Sequence, residues 1–288
     1  PLDENLLLLW LDEDRVNQQV EVFGVVLSRA GGVLSAPLQI SDTGAQRFTA
    51  LASAATDSVQ LVWSSNQGAV SNLYATRINR RGVPFPAASI RSNADYPALV
   101  QDLMGNSLLF WMEYSSGVFA SPLGETEGYA SLDDPQAVTT LPKIGTGVSL
   151  DSFYAALDGT HAHLFWNTRS PGGRRTVLTA TGLFSDLQLS QPATFSIQIA
   201  QGIYVEEIAF ARPLAGQHLA LPVVLTTSQE LGVATYRNGT LETYEALLPT
   251  PLLLAPPVLD GSPQNRLVLA WSEAIPEHAA QLTTLHSP

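Results

Sequence analysis

At 288 residues, with 45% hydrophobic and only 14% charged side chains, the chain reads as one large domain made of strands buried on both faces, and disorder is not expected. Its 14 basic residues against 26 acidic ones leave a net charge of −12, with Lys143 the only lysine, which argues against nucleic acid and anionic membrane surfaces as partners because phosphate is held by clustered Lys and Arg. The absence of cysteine removes disulfides, thiolate metal sites and Cys nucleophiles, and the apolar run Leu6 to Leu11 is far short of the roughly 20 residues needed to cross a bilayer, so no direct membrane insertion is expected.

The first unit, residues 1–42, opens on Leu6-Leu-Leu-Leu-Trp10, passes through the acidic stretch Asp12, Glu13 and Asp14, and turns at Arg29-Ala-Gly-Gly32. No basic segment precedes that apolar run, so if the protein is secreted the sequence is that of a mature chain or a fragment. In the second unit, 43–92, strands are predicted over 47–56, 59–64 with Trp63, 73–79 and 87–91, with a turn at Asn79-Arg-Arg-Gly82. The third, 93–142, carries Asp102-Leu-Met-Gly105, then Leu108-Leu-Phe-Trp111 and Glu113. The fourth, 143–200, carries Asp158-Gly-Thr160 and His163-Leu-Phe-Trp166. The fifth, 201–250, has an innermost strand Ile203-Tyr-Val-Glu-Glu-Ile208, a turn at Ala215-Gly-Gln217, Leu219-Ala-Leu-Pro-Val223 in place of a tryptophan strand, and Arg237-Asn238-Gly239. The sixth, 251–288, runs from Asp260-Gly-Ser262 through Leu267-Val-Leu-Ala-Trp271 and Glu273 to Gln281–Leu285, with no outermost strand.

The five tryptophans each close the same kind of run, at gaps of 53, 48, 55 and 105 residues, and Val223 divides the last gap into 57 and 48. Such periods belong to repeat arrays. Asp and Gly turns before the tryptophan strand recur with the same period and supply the backbone conformations that tight hairpins need. In 59–63, Val59, Leu61 and Trp63 share one face and Gln60 and Val62 the other, so neighbouring sheets must cover both sides. The expected fold is therefore all-β: a β-propeller of about six four-stranded blades in a single domain, 1–288, with terminal blades incomplete or shared. A straight solenoid and a pair of β-sandwiches fit the long units less well.

The order of apolar strand, Trp, polar loop, a strand such as Leu73-Tyr-Ala-Thr-Arg-Ile-Asn79 and a Gly turn resembles the repeats of bacterial extracellular β-propeller proteins. The resemblance implies an extracellular or cell-surface setting, or the periplasm, and no particular activity. The Ser-x-Asp-x-Gly-x-Thr-Trp turns of sialidases are absent, as is the Gly-Lys-x-x-Trp signature of quinone-dependent dehydrogenases, since Lys143 is followed by Ile144 and Gly145.

Asp12, Glu13, Asp14, Glu113 and Glu273 are expected in loops that follow the tryptophans, on one rim of the ring. Clustered carboxylates there would suit a hard cation or a pair of glycosidase acids. The plainer reading is an acidic, solvated surface. Bound Ca2+ is the one cofactor this rim would take, and no Asp-x-Asp-x-Asp-Gly loop supports it. His161 and His163 share a strand face and read as exposed strand-end residues, or as two ligands short of a third. Glu206 and Glu207 stand together on the innermost strand, one of them facing a neighbouring sheet unless both line a solvated channel. Arg47 and Arg91 could clamp a carboxylate ligand or pair with Asp42, Asp95 or a neighbouring glutamate. Asn238-Gly-Thr240 matches a glycosylation acceptor inside a tight turn. The leading expectation is a non-enzymatic module recognising a protein or glycan through its top-face loops. The alternatives are a glycoside hydrolase or lyase using carboxylates among Asp12, Glu113, Glu206 and Glu273, and a structural subunit of a larger extracellular assembly.

Overall fold

The computed structural model describes residues 5–13, 19–28, 30–53, 58–67, 70–79, 81–101, 106–114, 116–126, 129–142, 146–157, 161–172, 175–183, 185–195, 198–200, 203–210, 221–227, 230–237, 240–249, 258–261, 267–275 and 278–286. Every regular element among them is a strand, and the chain divides into two compact units, residues 1–141 and 142–288, whose boundary falls close to the end of the third expected repeat.

The first unit holds three antiparallel sheets. They are β1 (Asn5–Glu13), β2 (Val20–Ser28) and β3 (Leu38–Gln39); β4 (Arg47–Ser53), β5 (Ser58–Gln67), β6 (Val70–Asn79) and β7 (Ala88–Ser92); and β8 (Asp95–Gln101), β9 (Ser107–Glu113), β10 (Gly117–Thr126), β11 (Tyr129–Leu132) and β12 (Gln136–Thr139). The second unit holds β13 (Ser149–Leu157), β14 (His161–Arg169), β15 (Arg175–Leu183) and β16 (Ala193–Phe195); β17 (Gln198–Ala200), β18 (Ile203–Phe210), β19 (Leu221–Thr227), β20 (Glu230–Arg237) and β21 (Thr240–Pro249); and β22 (Val258–Gly261), β23 (Leu267–Ile275) and β24 (His278–His286). Sequence neighbours pair in every sheet, the up-and-down order that short hairpins impose, with β12 as the exception because it pairs β10. The expected six four-stranded blades are not what forms: only β4–β7 and β13–β16 have four strands, and the first and last sheets have three each among the described residues. The outer edge of the third sheet is shared by two short strands, β11 and β12, pairing opposite ends of β10 on either side of Asp134, whose φ is +45°.

Tryptophan position explains the packing. Trp10, Trp63 and Trp111 each stack on the aromatic ring directly across the hairpin, Phe23, Tyr74 and Phe119, with centroids 6.1, 5.8 and 5.8 Å apart. β5 is buried on both faces, as its sequence requires. Val59, Leu61 and Trp63 join Val22, Ile40 and Ala45 against the first sheet, while Val62 joins Leu51, Leu73, Leu99, Leu109 and Trp111 against the third. In the second unit Phe165, Val177 and Phe195 pack with Val205, Ile208, Val223, Leu225 and Tyr236, so Val223 fills its expected core position.

Turn chemistry holds at Gly31 and Gly82, whereas Asp260 and Gly261, expected in a turn, close strand β22. Gly31 and Gly82 both have positive φ, +81° and +79°, at the turns that leave β2 towards β3 and β6 towards β7. Gly82 is doubly constrained, because a Cβ there would meet Val26 Cγ2 at 2.5 Å. The predicted turns at 102–105, 158–160 and 215–217 and the Asn238-Gly239 pair lie outside the described residues.

Three strands shift register against the strand that follows them: between Asp95 and Ala98 in β8, Leu150 and Ser152 in β13, and Val205 and Glu207 in β18, which is not the innermost strand expected from sequence because β17 pairs on its other side. Each shift is a β-bulge, which breaks side-chain alternation and re-aims the residues beside it.

Candidate functional site

The bulge in β8 builds the most elaborate polar site among the described residues. Tyr96 and Pro97 stand opposite the single residue Trp111, and Pro97 has no N–H to offer the ladder. Tyr96 has φ +54°, a left-handed conformation that is costly for a bulky residue and more so before proline. Such strain persists only when the surroundings enforce it. Here the enforcement is visible: the Tyr96 N–H donates to Asp95 Oδ1 at 2.7 Å, Arg47 Nη2 donates to the Tyr96 hydroxyl at 2.8 Å, and the Arg47 guanidinium lies 3.8 Å from the Tyr96 ring centroid. Arg47 also pairs with Asp95 Oδ2 at 3.2 Å, and the Tyr114 hydroxyl donates to the same oxygen at 2.9 Å. Asp95 is thus 2% exposed yet supplied with donors, whereas Tyr114 is 63% exposed and held at its hydroxyl end. Desolvation of that end, then the charge of Asp95 and its hydrogen bond, push the Tyr114 phenol well above its ordinary range.

A second ion pair lies in the same unit. Arg91 Nε donates to Glu113 Oε1 at 2.7 Å, the Trp111 indole N–H donates to that oxygen at 3.1 Å, and the guanidinium sits 6.0 Å from the Trp111 ring and 5.9 Å from Phe119. Both arginines come from the β4–β7 sheet and both acids from the β8–β12 sheet. The pairs therefore tie neighbouring sheets together above their shared apolar contact.

The other residues singled out from sequence are dispersed. Asp12 and Glu13 end β1, Glu113 ends β9 and Glu273 falls within β23, so these acids are strand residues, not loop residues, because the hairpins are tighter than the sequence spacing suggests. Asp12 and Glu13 are exposed, and Asp12 Oδ1 accepts the Glu13 N–H at 2.8 Å. Asp14 lies outside the described residues, as do the side chains of Glu206, Glu207 and Glu273. Glu206 is the extra residue of the β18 bulge, so the alternation that would send either it or Glu207 inward does not apply there. Asp42 is exposed. His163 is buried, not exposed at a strand end: it pairs across to Ala156 and Thr181, and its ring meets Tyr236 edge-on at 5.1 Å. Among the described residues no three His, Asp or Glu side chains gather within range of a common metal ion.

Sequence reasoning missed Tyr96, Tyr114, Glu21 and Asn167. Glu21, 0% exposed, accepts from the Ser41 hydroxyl and, at 2.9 Å, from the Gly44 N–H, pinning the connection from the first sheet to the second. Asn167 reaches from β14 to the next sheet, donating to Ile208 O at 3.0 Å and accepting from Ile208 N at 3.2 Å. The Tyr96-Pro97 pair at the head of a strand was a readable signal, because a residue held before proline in a sheet marks a bulge or an edge.

No protein-family model matches the sequence, and no curated protein matches it. Solved structures do. A protein of unknown function from Dyadobacter fermentans is 11% identical over 99% of this chain and 91% of its own, with TM-score 0.64. The polysaccharide lyase Uly1 is 11% identical over 99% of this chain and 75% of its own, with TM-score 0.55. The catalytic domain of a GH62 α-L-arabinofuranosidase from Coprinopsis cinerea is 11% identical over 85% and 90%, with TM-score 0.52. At these identities the likeness shows the fold: an all-β protein with a β-propeller arrangement of sheets.

Proposed function

We propose that this protein is directed at glycans, as a glycoside hydrolase or polysaccharide lyase, with the edge formed by Arg47, Asp95, Tyr96 and Tyr114 recognising the sugar. The observation that carries the reading is the exposed Tyr114 ring held beside the Arg47–Asp95 pair. A flat apolar face next to fixed donors and acceptors matches the two surfaces of a sugar ring, its C–H face and its hydroxyl rim. Strained backbone at Tyr96 adds support, because such conformations concentrate at functional sites. Several solved structures of similar fold are named as glycan-acting enzymes, and this supports an enzymatic role over the scaffold role expected from sequence.

Binding without turnover is the second reading. It is favoured by one observation: Asp95 and Glu113 are each committed to an arginine, which leaves neither as an obvious acid for bond cleavage. A panel of polysaccharides assayed in parallel for product release and for binding separates the two. Reducing ends or unsaturated ends released by the protein establish the enzyme; binding without release establishes the second reading. Neither binding nor release would refute both.

A further inference from the structure

We infer that the glycan is a neutral polysaccharide, not a uronate or sulfated one. The inference rests on the proposed glycan-directed edge and specifies what that edge can accept; within that reading it selects the hydrolase over the lyase, because eliminative cleavage needs a uronate carboxyl to acidify the C5 proton. Recognition of anionic sugars uses a guanidinium or ammonium that can face the ligand carboxylate or sulfate. In this unit the Arg47 and Arg91 guanidinium groups are already matched in charge: Arg47 by Asp95, with further contacts to the Tyr96 hydroxyl and ring, and Arg91 by Glu113 over the rings of Trp111 and Phe119. Arg169 in the other unit is held in the same way by Asp151 at 2.8 Å.

A ligand carboxylate at Arg47 would meet a guanidinium whose charge Asp95 already balances, and taking that charge for itself would mean displacing Asp95. That would strand a carboxylate that is 2% exposed, and burying an uncompensated charge opposes the exchange. The exposed surface at this point is instead the uncharged Tyr114 ring, whose orientation the hydrogen bond to Asp95 fixes in advance. The chain as a whole carries −12, so a polyanion approaching any unpaired residue also meets repulsion over about 10 Å in 0.1 M salt. Local pairing and global charge select in the same direction.

Affinity electrophoresis and calorimetry test this with arabinan, xylan and a neutral galactan on one side and polygalacturonate, alginate and a sulfated galactan on the other, at low and moderate salt. The expected result is binding confined to one or more neutral polymers, little changed by salt. Tyr114→Ala should weaken it at least ten-fold and Tyr114→Phe should weaken it less, because Phe keeps the platform and loses only its anchor. Asp95→Asn should confer salt-sensitive retention by polygalacturonate as Arg47 is released. If that variant unfolds, the comparison of neutral with anionic polymers on the unaltered protein still decides. Binding of an anionic polymer by the unaltered protein, equal to or tighter than that of any neutral one, would overturn the inference and leave the glycan-directed function standing. No binding of any polymer would remove both.

Discussion

Replacing Arg47 by alanine isolates the linkage on which the β8 bulge depends. The Asp95 carboxylate, 2% exposed, would lose its cation and keep only the Tyr114 hydroxyl and the Tyr96 N–H. Stranding one member of a buried pair costs about 3–5 kcal/mol, and since the Arg47 side chain is 35% exposed, solvent recovers part, leaving about 2–3 kcal/mol. Tyr96 would lose the Arg47 hydrogen bond and ring contact at the same time, weakening what holds its left-handed conformation. Urea unfolding followed by tryptophan fluorescence measures the cost. The companion is Asp95→Asn in the Arg47→Ala background: a neutral amide needs no cation, so the double variant should recover about 1 kcal/mol or more. A loss below about 0.5 kcal/mol for Arg47→Ala, or no recovery in the double variant, would show that the pair is a surface contact of little consequence.

Other substitutions probe the rest of the frame. Asn167→Ala removes both hydrogen bonds to Ile208 and should destabilise by about 2–4 kcal/mol in the same assay, with Asn167→Asp also costly because a carboxylate cannot donate to Ile208 O. Gly82→Ala combines a positive φ with a collision at Val26, and a loss of about 2 kcal/mol or more should appear as a lowered melting temperature. Trp111→Ala should cost about 3–5 kcal/mol by opening a cavity between two sheets; a thermal shift no larger than that of a surface substitution would contradict the packing described. Tyr114 keeps its proton in the folded state beyond the ordinary tyrosine range, so the stability it contributes is present below about pH 10 and declines as pH rises above that. An ultraviolet absorbance titration should show its ionisation delayed, and Asp95→Asn should bring it earlier.

Legibility differed sharply between scaffold and site. Trp63 and the run before it could be read because strands buried on both faces must be apolar at every position, and that demand recurs with each sheet. The aromatic partners Phe23, Tyr74 and Phe119 repeat as faithfully, but their pairing depends on hairpin register, which spacing alone leaves open. Glu21 looked like any charged residue near a turn; its burial depends on Ser41 and Gly44, some 20 residues onward, and on how the connection folds back. Glu113 stands out in the sequence as an acid and Arg91 as a residue that could pair with a neighbouring glutamate, while no spacing or motif marks Tyr114 beside it. The site at Tyr96 was hidden for a further reason. A bulge overturns the two-residue alternation by which strand faces are assigned, so the rule fails where the backbone does something unusual.

The outer edges of the first two sheets carry a consequence for how the molecule meets copies of itself. Beside β2 the edge is a single bridge, Leu27 to Val33, followed by the two residues of β3; beside β6 it is a bridge from Ile78 to Pro84, followed by β7. Two prolines, Pro84 and Pro86, withhold amide hydrogens where a foreign strand would seek them, and the interruption denies that strand a continuous row to copy. Repeated sheets of such apolar content would otherwise be templates for fibre growth. Restoring an unbroken edge, for example with Pro84→Val and Pro86→Thr together, would be expected to turn a rim that ends each sheet into one that recruits the next molecule.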